Sequence, residues 1–235
     1  MTVVSTNDVV VAPMDWVAWH DGYEDPLSPH SVRLRLIQGH IAAFLASRRS
    51  GPIRAVSVCS GDGRDLLGVL ANHPRRGDVN ARLVELDSQL ASQAAQTAAR
   101  AGLDLVEVVT ADASQTDAYV GAVPADLVLV CGVFGNISDD DIDVTVRRLP
   151  QLCAPGATVI WTRHRRVPDV TPRIRGWFHD AQFSEVTFDA PTDESPASPN
   201  SRWAWIGVGV HRYDGPPTPL QTNMRMFSFI DRQDR

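Results

Sequence analysis

The sequence predicts an α/β fold: a seven-stranded, mostly parallel sheet with an antiparallel edge strand and an N-terminal helical cap. Three observations carry that expectation. From residue 53 onward, short β-branched apolar runs alternate with segments of helical spacing, the pattern of a parallel sheet with right-handed crossovers. The run ADLVLVCGV (125–133) is almost continuously apolar, as a strand covered on both faces should be. The last two strand-like runs are separated by a Pro/Ser/Asp-rich stretch instead of a helix, which favours an antiparallel pair at the sheet edge.

The elements follow in order. IRAVSVC (53–59) is the first strand, and RDLLGVLANH follows a glycine loop with helical spacing. ARLVELD (81–87) reads as a second strand. SQLASQAAQTAARAG (88–102) is an alanine-rich helix closed by Gly102, since a left-handed glycine commonly ends a helix. DLVEVVT (104–110) is the third strand and ADLVLVCGV the fourth. SDDDIDVTVRRLPQL is a helix, with Ser138 as N-cap and three aspartates in its first turn, where they favour the dipole. GATVIWTRH (156–164) is the fifth strand, and TPRIRGWFHDAQF (171–183) a helix with Pro172 in its first turn. SEVTFDA (184–190) and WAWIGVGVHRY (203–213) form the edge pair, and MRMFSFI (224–230) adds a strand or packs across the edge.

Residues 1–50 stand apart from this alternation. SVRLRLIQGHIAAFLASRR (31–49) places Leu34, Ile37, Ile41, Phe44 and Leu45 on one helical face. DWVAWHDGYEDPLSPH (15–30) is dense in aromatic and turn residues. Residues 1–50 are read as a cap or lid draped over one end of the sheet, and 51–235 as the main domain.

Composition narrows the function. The 235 residues carry a net charge of −6, so no polyanion-binding surface is advertised and nucleic acid is not the expected partner. Cys59, Cys131 and Cys153 are odd in number and lack metal-ligand spacing, so they read as free thiols of a reducing cytoplasm, with no metal expected. No apolar segment approaches the ~20 residues that span a bilayer, and the N-terminus lacks signal-peptide character. The expected protein is soluble and cytoplasmic, with its oligomeric state open.

Chemistry is expected at the strands' carboxyl ends, beside the topological switch point of the sheet. There the loop Ser60-Gly61-Asp62-Gly63 can offer backbone N–H groups to an anionic group, or be only a tight turn before a helix. Glu85 lies 22 residues after Gly63, where Rossmann-type folds place a carboxylate for ribose hydroxyls. Asp87 is a competing or cooperating acid. After the third strand, Asp112 can accept from an adenine amine while the Ala113 N–H donates; alternatively Asp112 caps the next segment. At the fourth strand's tip, Cys131 and Gly132 allow a ligand close to the backbone.

These four loops, in this order, resemble the class I S-adenosylmethionine-dependent methyltransferases over residues 15–213. Those enzymes carry an acid-x-Gly-x-Gly-x-Gly pattern, an acid ending the second strand and an Asp-Ala-like pair after the third. ADLVLVCGVFGNISD and PQLCAPGATVIWTRHRR are similar to a bacterial group of small methyltransferases. The resemblance implies a Rossmann-like sheet, S-adenosylmethionine as cofactor and methyl transfer to a small molecule. The implied cofactor-binding positions are Ser57, Cys59, Ser60, Gly61, Gly63, Glu85, Asp87, Asp112, Ala113, Cys131 and Gly132. Gly61 and Gly63 match the motif, while Ser57 stands at its leading acid and Cys59 at its first glycine.

Methyltransferases have no universal catalytic motif, because an activated sulfonium needs alignment more than activation. A base is required only where the acceptor must lose a proton. The candidates are His164 in TRHRR as base, and His20 and Tyr23 in WHDGYED closing over the cofactor. Arg163, Arg165 and Arg166 either bind an acidic substrate or form a solvated turn. GVFGNIS is not the Asn-Pro-Pro-Tyr motif of amino-nitrogen methylation. A non-catalytic relative that binds the cofactor as a sensor is the alternative reading. A nicotinamide oxidoreductase is weaker: Gly61-Asp62-Gly63 followed by Leu66 breaks Gly-x-Gly-x-x-Gly. The chain contains no lysine, which excludes Schiff-base and P-loop chemistry.

Overall fold

The computed structural model describes Tyr23 and residues 25–190 and 205–230. Helix α1 (Pro29–Ser47) opens it, with Ser28 as N-cap accepting from the Ser31 N–H at 3.0 Å. Then follow β1 (Ile53–Val58), α2 (Arg64–Leu70), β2 (Val79–Glu85), α3 (Ser88–Arg100), β3 (Val106–Thr110) and β4 (Ala125–Val130). The rest comprises α4 (Asp139–Arg148), β5 (Cys153–His164), α5 (Thr171–Asp180), β6 (Phe183–Asp189) and β7 (Ile206–Tyr213). The predicted caps hold: Ser138 Oγ accepts from the Asp141 N–H at 3.0 Å ahead of α4.

The seven strands form one sheet in the order β3-β2-β1-β4-β5-β7-β6. The pairings β3-β2, β2-β1, β1-β4 and β4-β5 are parallel, and β7 is antiparallel to both β5 and β6. The antiparallel pair is therefore at the edge as expected, with the reversed strand seated inside β6. Strand order reverses between β1 and β4, so the switch-point crevice opens at their carboxyl ends.

Alternation along the central strands explains their unbroken apolar sequence. In β4, Leu127 and Leu129 join one buried cluster while Val128 and Val130 join the other. The first cluster packs β-strand residues under α1, α2 and α3, with Ile37, Ile41, Phe44 and Leu45 of α1 buried against Leu66, Leu67 and Val208. The second lies under α4 and α5 and contains Trp161, Phe134 and Phe178. Gly209 is needed there, because a Cβ at that position would lie 2.2 Å from the Trp161 indole.

The run 224–230 is not a strand of the sheet. It crosses the carboxyl-end rim, bridging Gln115 through Arg225 and Ile137 through Phe229. Its Met226 N–H donates to the Ser114 carbonyl at 2.8 Å, and Met226 and Phe227 are buried in the second cluster. Among the described residues, no helix is long and apolar enough to cross a membrane, and no cluster of His, Cys, Asp and Glu could hold a metal.

Candidate functional site

A cavity of about 280 Å³ opens at the switch point, close to the lower end of small-ligand pockets, ~300–1,000 Å³. The tips of β1, β2, β3 and β4 all contribute to its wall, through Cys59–Asp62, Glu85–Asp87, Asp112 with Ala113, and Cys131 with Gly132. Helix α1 adds Arg33, Leu34 and Ile37, α2 adds Arg64 and Asp65, and Tyr23, Leu90 and Phe229 complete it. Nine of the implied cofactor positions thus converge: Cys59, Ser60, Gly61, Glu85, Asp87, Asp112, Ala113, Cys131 and Gly132.

Several backbone donors of the glycine loop are engaged within the protein and so are not turned to an anionic group. The Ser60 N–H donates to the Val84 carbonyl and the Gly63 N–H to the Ser60 carbonyl. The Gly61 N–H donates to Glu85 Oε2 at 2.7 Å, and the Arg64 N–H to Asp62 Oδ1 at 3.2 Å. With these donors spent inside the loop, a phosphate has little to bind. What the loop presents instead is close-approach backbone and the Ser60 hydroxyl, whose Oγ is buried with no partner among the described residues.

Cys59 adopts φ 53, the left-handed conformation that makes glycine usual at that point of the motif. The backbone path is thus kept while a thiol is added to the cavity wall. Burial raises the Cys59 pKa well above its ordinary value, and the Glu85 and Asp112 charges raise it further. Burial likewise raises Cys131, helped by Asp65. Both stay protonated at neutral pH, so neither is a thiolate nucleophile.

Glu85 ends β2 as a buried acid, 9% exposed. Its Oε2 takes the Gly61 N–H, and Oε1 takes the Asp87 N–H at 2.9 Å. A carboxylate has about four acceptor positions, so about two remain for a ligand while the backbone fixes the group's orientation. Asp87 has a structural duty: its side chain caps α3, accepting from the Gln89 and Leu90 N–H groups at 2.8 and 3.0 Å. Asp112 Oδ1 accepts from the Ser114 N–H at 2.9 Å, and Oδ2 lies 3.5 Å from Arg225. Burial alone would raise its pKa, but the Ser114 and Gln115 hydrogen bonds and the Arg225 charge hold it below the usual value. It stays an acceptor. Gly132 has φ 80, and a Cβ there would meet nothing within 4 Å.

Three expected site residues do not reach the cavity wall. Ser57, 1% exposed, is not among the residues of the cavity wall, because it lies within β1 and not on its tip. Gly63 caps α2 at φ 73, and its missing Cβ makes room for Leu83 and Leu67, 2.6 and 2.8 Å from where that atom would be. Its role is helix–strand packing. His164 ends β5 beside Gly135, with β1 and β4 between it and the strand that Glu85 ends. Its arginine neighbours are engaged: Arg163 donates to the Phe134 carbonyl, Arg165 pairs with Asp169 at 3.3 Å, and Arg166 lies 4.4 Å over the Trp205 ring. His20 lies outside the described residues.

Tyr23 does line the cavity. Arg33 Nη2 donates to its hydroxyl at 2.8 Å, and Arg64 sits 4.2 Å over its ring while pairing with Asp62. Burial raises the Tyr23 pKa against the lowering by Arg33, which keeps it a neutral phenol. Sequence reasoning missed Arg33, Asp65 and Phe229. Asp65 did carry a signal, as an acid among the apolar positions of RDLLGVL.

Sheet order and crevice together define the fold of the class I S-adenosylmethionine-dependent methyltransferases. The structure of magnesium protoporphyrin IX methyltransferase from Synechocystis PCC 6803, with bound cofactor, matches with a TM-score of 0.64 and 12% identity, over 84% of this chain and 90% of that one. The 1,6-didemethyltoxoflavin-N1-methyltransferase from Burkholderia thailandensis matches at 0.58 and 16% identity, over 88% and 92%. The N-methyltransferase NodS from Bradyrhizobium japonicum WM9 matches at 0.58 and 11%, over 82% and 99%. No family model and no curated protein matches the sequence.

Proposed function

We propose that this protein binds S-adenosylmethionine and transfers its methyl group to a small-molecule acceptor. The observation that carries the reading is Glu85: a buried carboxylate, pinned by two backbone N–H groups, facing the crevice with acceptor capacity to spare. That is the group a ribose diol needs. The structural relatives that bind this cofactor or its product support the choice of ligand. So does the loop, whose engaged N–H groups suit a nucleoside better than a phosphate.

The residues present fit the cofactor. Glu85 would hold the ribose hydroxyls, Asp112 and the Ala113 N–H the adenine edge, and Gly61 and Gly132 would let it lie against backbone. The orphaned Ser60 hydroxyl would gain a partner. When bound, the cofactor supplies an activated methyl on a sulfonium, so the chain's part is to align the acceptor and exclude water. The described part of the expected cap, Tyr23 and α1, forms one wall of the crevice. No imidazole of the described residues lines it, which suits an acceptor that needs no proton removed. Free Cys59, Cys131 and Cys153 suit a cytoplasmic location.

Calorimetry with S-adenosylhomocysteine tests the reading. The wild type should bind it, and Glu85→Ala should lose about 3 kcal/mol, from two hydrogen bonds to a charged group at ~1.5–3 kcal/mol each. No binding by the wild type, or an unchanged affinity in the variant, defeats the assignment. Turnover of S-adenosylmethionine with a metabolite extract separates an enzyme from a sensor.

A further inference from the structure

We infer that Asp65 and Arg33 seat the zwitterionic amino-acid end of S-adenosylmethionine, in place of the leading acid that this chain lacks. The inference rests on the cofactor reading above and adds the direction in which the molecule lies.

The position where the motif's first acid would stand is Ser57, which is 1% exposed and absent from the cavity wall. Its hydroxyl carries no charge to meet an ammonium group. Asp65 supplies what is missing. It lies in the first turn of α2, between core leucines, only 8% exposed and yet on the wall. Its Oδ1 accepts the N–H of its neighbour Leu66 at 2.7 Å. Among the described residues, no guanidinium or imidazole comes within 4 Å of it, whereas nearby Asp62 is paired with Arg64. Burial, with a smaller push from Asp62, raises Asp65 to about 6 against the lowering by the Leu66 N–H and, more weakly, by the Arg33 charge. A buried carboxylate without a paired cation weakens the protein that holds it, and one set in a cavity wall is a candidate functional group with acceptor capacity for a ligand's cation.

The cavity has two electrically distinct ends. The Cys59 thiol feels the charges of Glu85 and Asp112, whereas the Cys131 thiol feels Asp65 and Arg33. The first end is that of the ribose and adenine. Beside the mutually paired Asp62 and Arg64, the second carries Asp65 and Arg33, one further anion and one further cation, the complement of an α-ammonium and an α-carboxylate. Arg33 reaches it from α1 and is anchored by Nη2 on the Tyr23 hydroxyl at 2.8 Å. Its planar fork suits a carboxylate. Neither group would contribute to a ligand that ends at the nucleoside.

Two ligands that differ only in that end provide the test, titrated by calorimetry: S-adenosylhomocysteine and 5′-methylthioadenosine. Asp65→Asn should weaken S-adenosylhomocysteine at least tenfold and leave 5′-methylthioadenosine within about twofold. Wild-type affinity for S-adenosylhomocysteine should rise between pH 5 and pH 7.5 as Asp65 ionises, and that rise should vanish in the variant. Should Asp65→Asn not fold, Arg33→Gln must show the same selective loss. Unchanged S-adenosylhomocysteine affinity, or equal loss of both ligands, overturns the inference while wild-type binding leaves the cofactor reading standing. A wild type that binds neither ligand defeats both.

Discussion

Acidification from pH 6.5 to pH 4 should remove about 3 kcal/mol of stability through one imidazole, and His211→Gln should abolish that loss. His211 in β7 is 1% exposed and stacks on Phe178 with ring centres 4.4 Å apart. The Trp161 Nε1–H donates to its Nδ1 at 3.1 Å, so the ring must be neutral at that nitrogen. Burial lowers its pKa from 6.5 to about 4, against the raising effect of Glu185 and with a further lowering from Arg175. Between those values the unfolded chain holds a proton that the folded one lacks. The stability is therefore full above pH 6.5 and lost as pH falls toward 4, at about 1.4 kcal/mol per unit. Glutamine keeps an acceptor for the indole and removes the titration. Urea unfolding at pH 4, 5, 6 and 7 should show the wild-type-minus-variant difference shrinking by about 3 kcal/mol toward acid. A constant difference would refute the reasoning. The comparison must be made as a difference because Asp65, raised from 3.8 to about 6, has the opposite slope in the same range.

Further outcomes follow from the same geometry. Asp65→Asn should stabilise the ligand-free protein at pH 7 by up to about 3 kcal/mol, because above about pH 6 the folded chain carries a buried charge that burial disfavours and the unfolded chain does not pay for; a lowered melting temperature would contradict this. Gly63→Ala combines φ 73 with a Cβ 2.6 Å from Leu83, so it should lose about 2–4 kcal/mol in denaturant titrations, from left-handed strain and overpacking. Gly209→Ala drives a methyl into the Trp161 ring and should lose about 1–3 kcal/mol, read from the same titrations with a shifted tryptophan emission. At pH 8, Cys59 and Cys131 should react with a thiol reagent at least about tenfold more slowly than an ordinary cysteine, as absorbance at the released chromophore would show.

Much of the fold could be read from the sequence because it is periodic. Both faces of β4 are buried, so ADLVLV carries no polar alternation after Asp126, and Ser138 announces α4 through a side chain that caps it. Glu85 was readable for a related reason: a strand tip has a fixed place relative to the switch point. The residues that escaped are those whose site role depends on a distant element. Arg33 is an ordinary polar helix position until α1 packs beside α2. Phe229 enters the cavity because residues 224–230 cross the rim, and a short apolar run does not encode which rim it crosses. His164 shows the reverse error: a chemically apt residue at a strand end, but at a part of the rim that the cavity does not include.

The bridging run at residues 224–230 also bears on how the protein comes into being. It ties the loop after β3 to the loop after β4, and supplies Phe229 to the cavity. A ribosome makes these residues after all seven strands. The nascent sheet can assemble with its crevice open along one side, and the pocket gains that wall only once residues 224–230 have followed the last strand. A chain stalled before residue 224 would hold the glycine loop and Glu85 yet lack the segment joining the two loops. Completion of that wall thus waits on a segment made after every strand of the sheet.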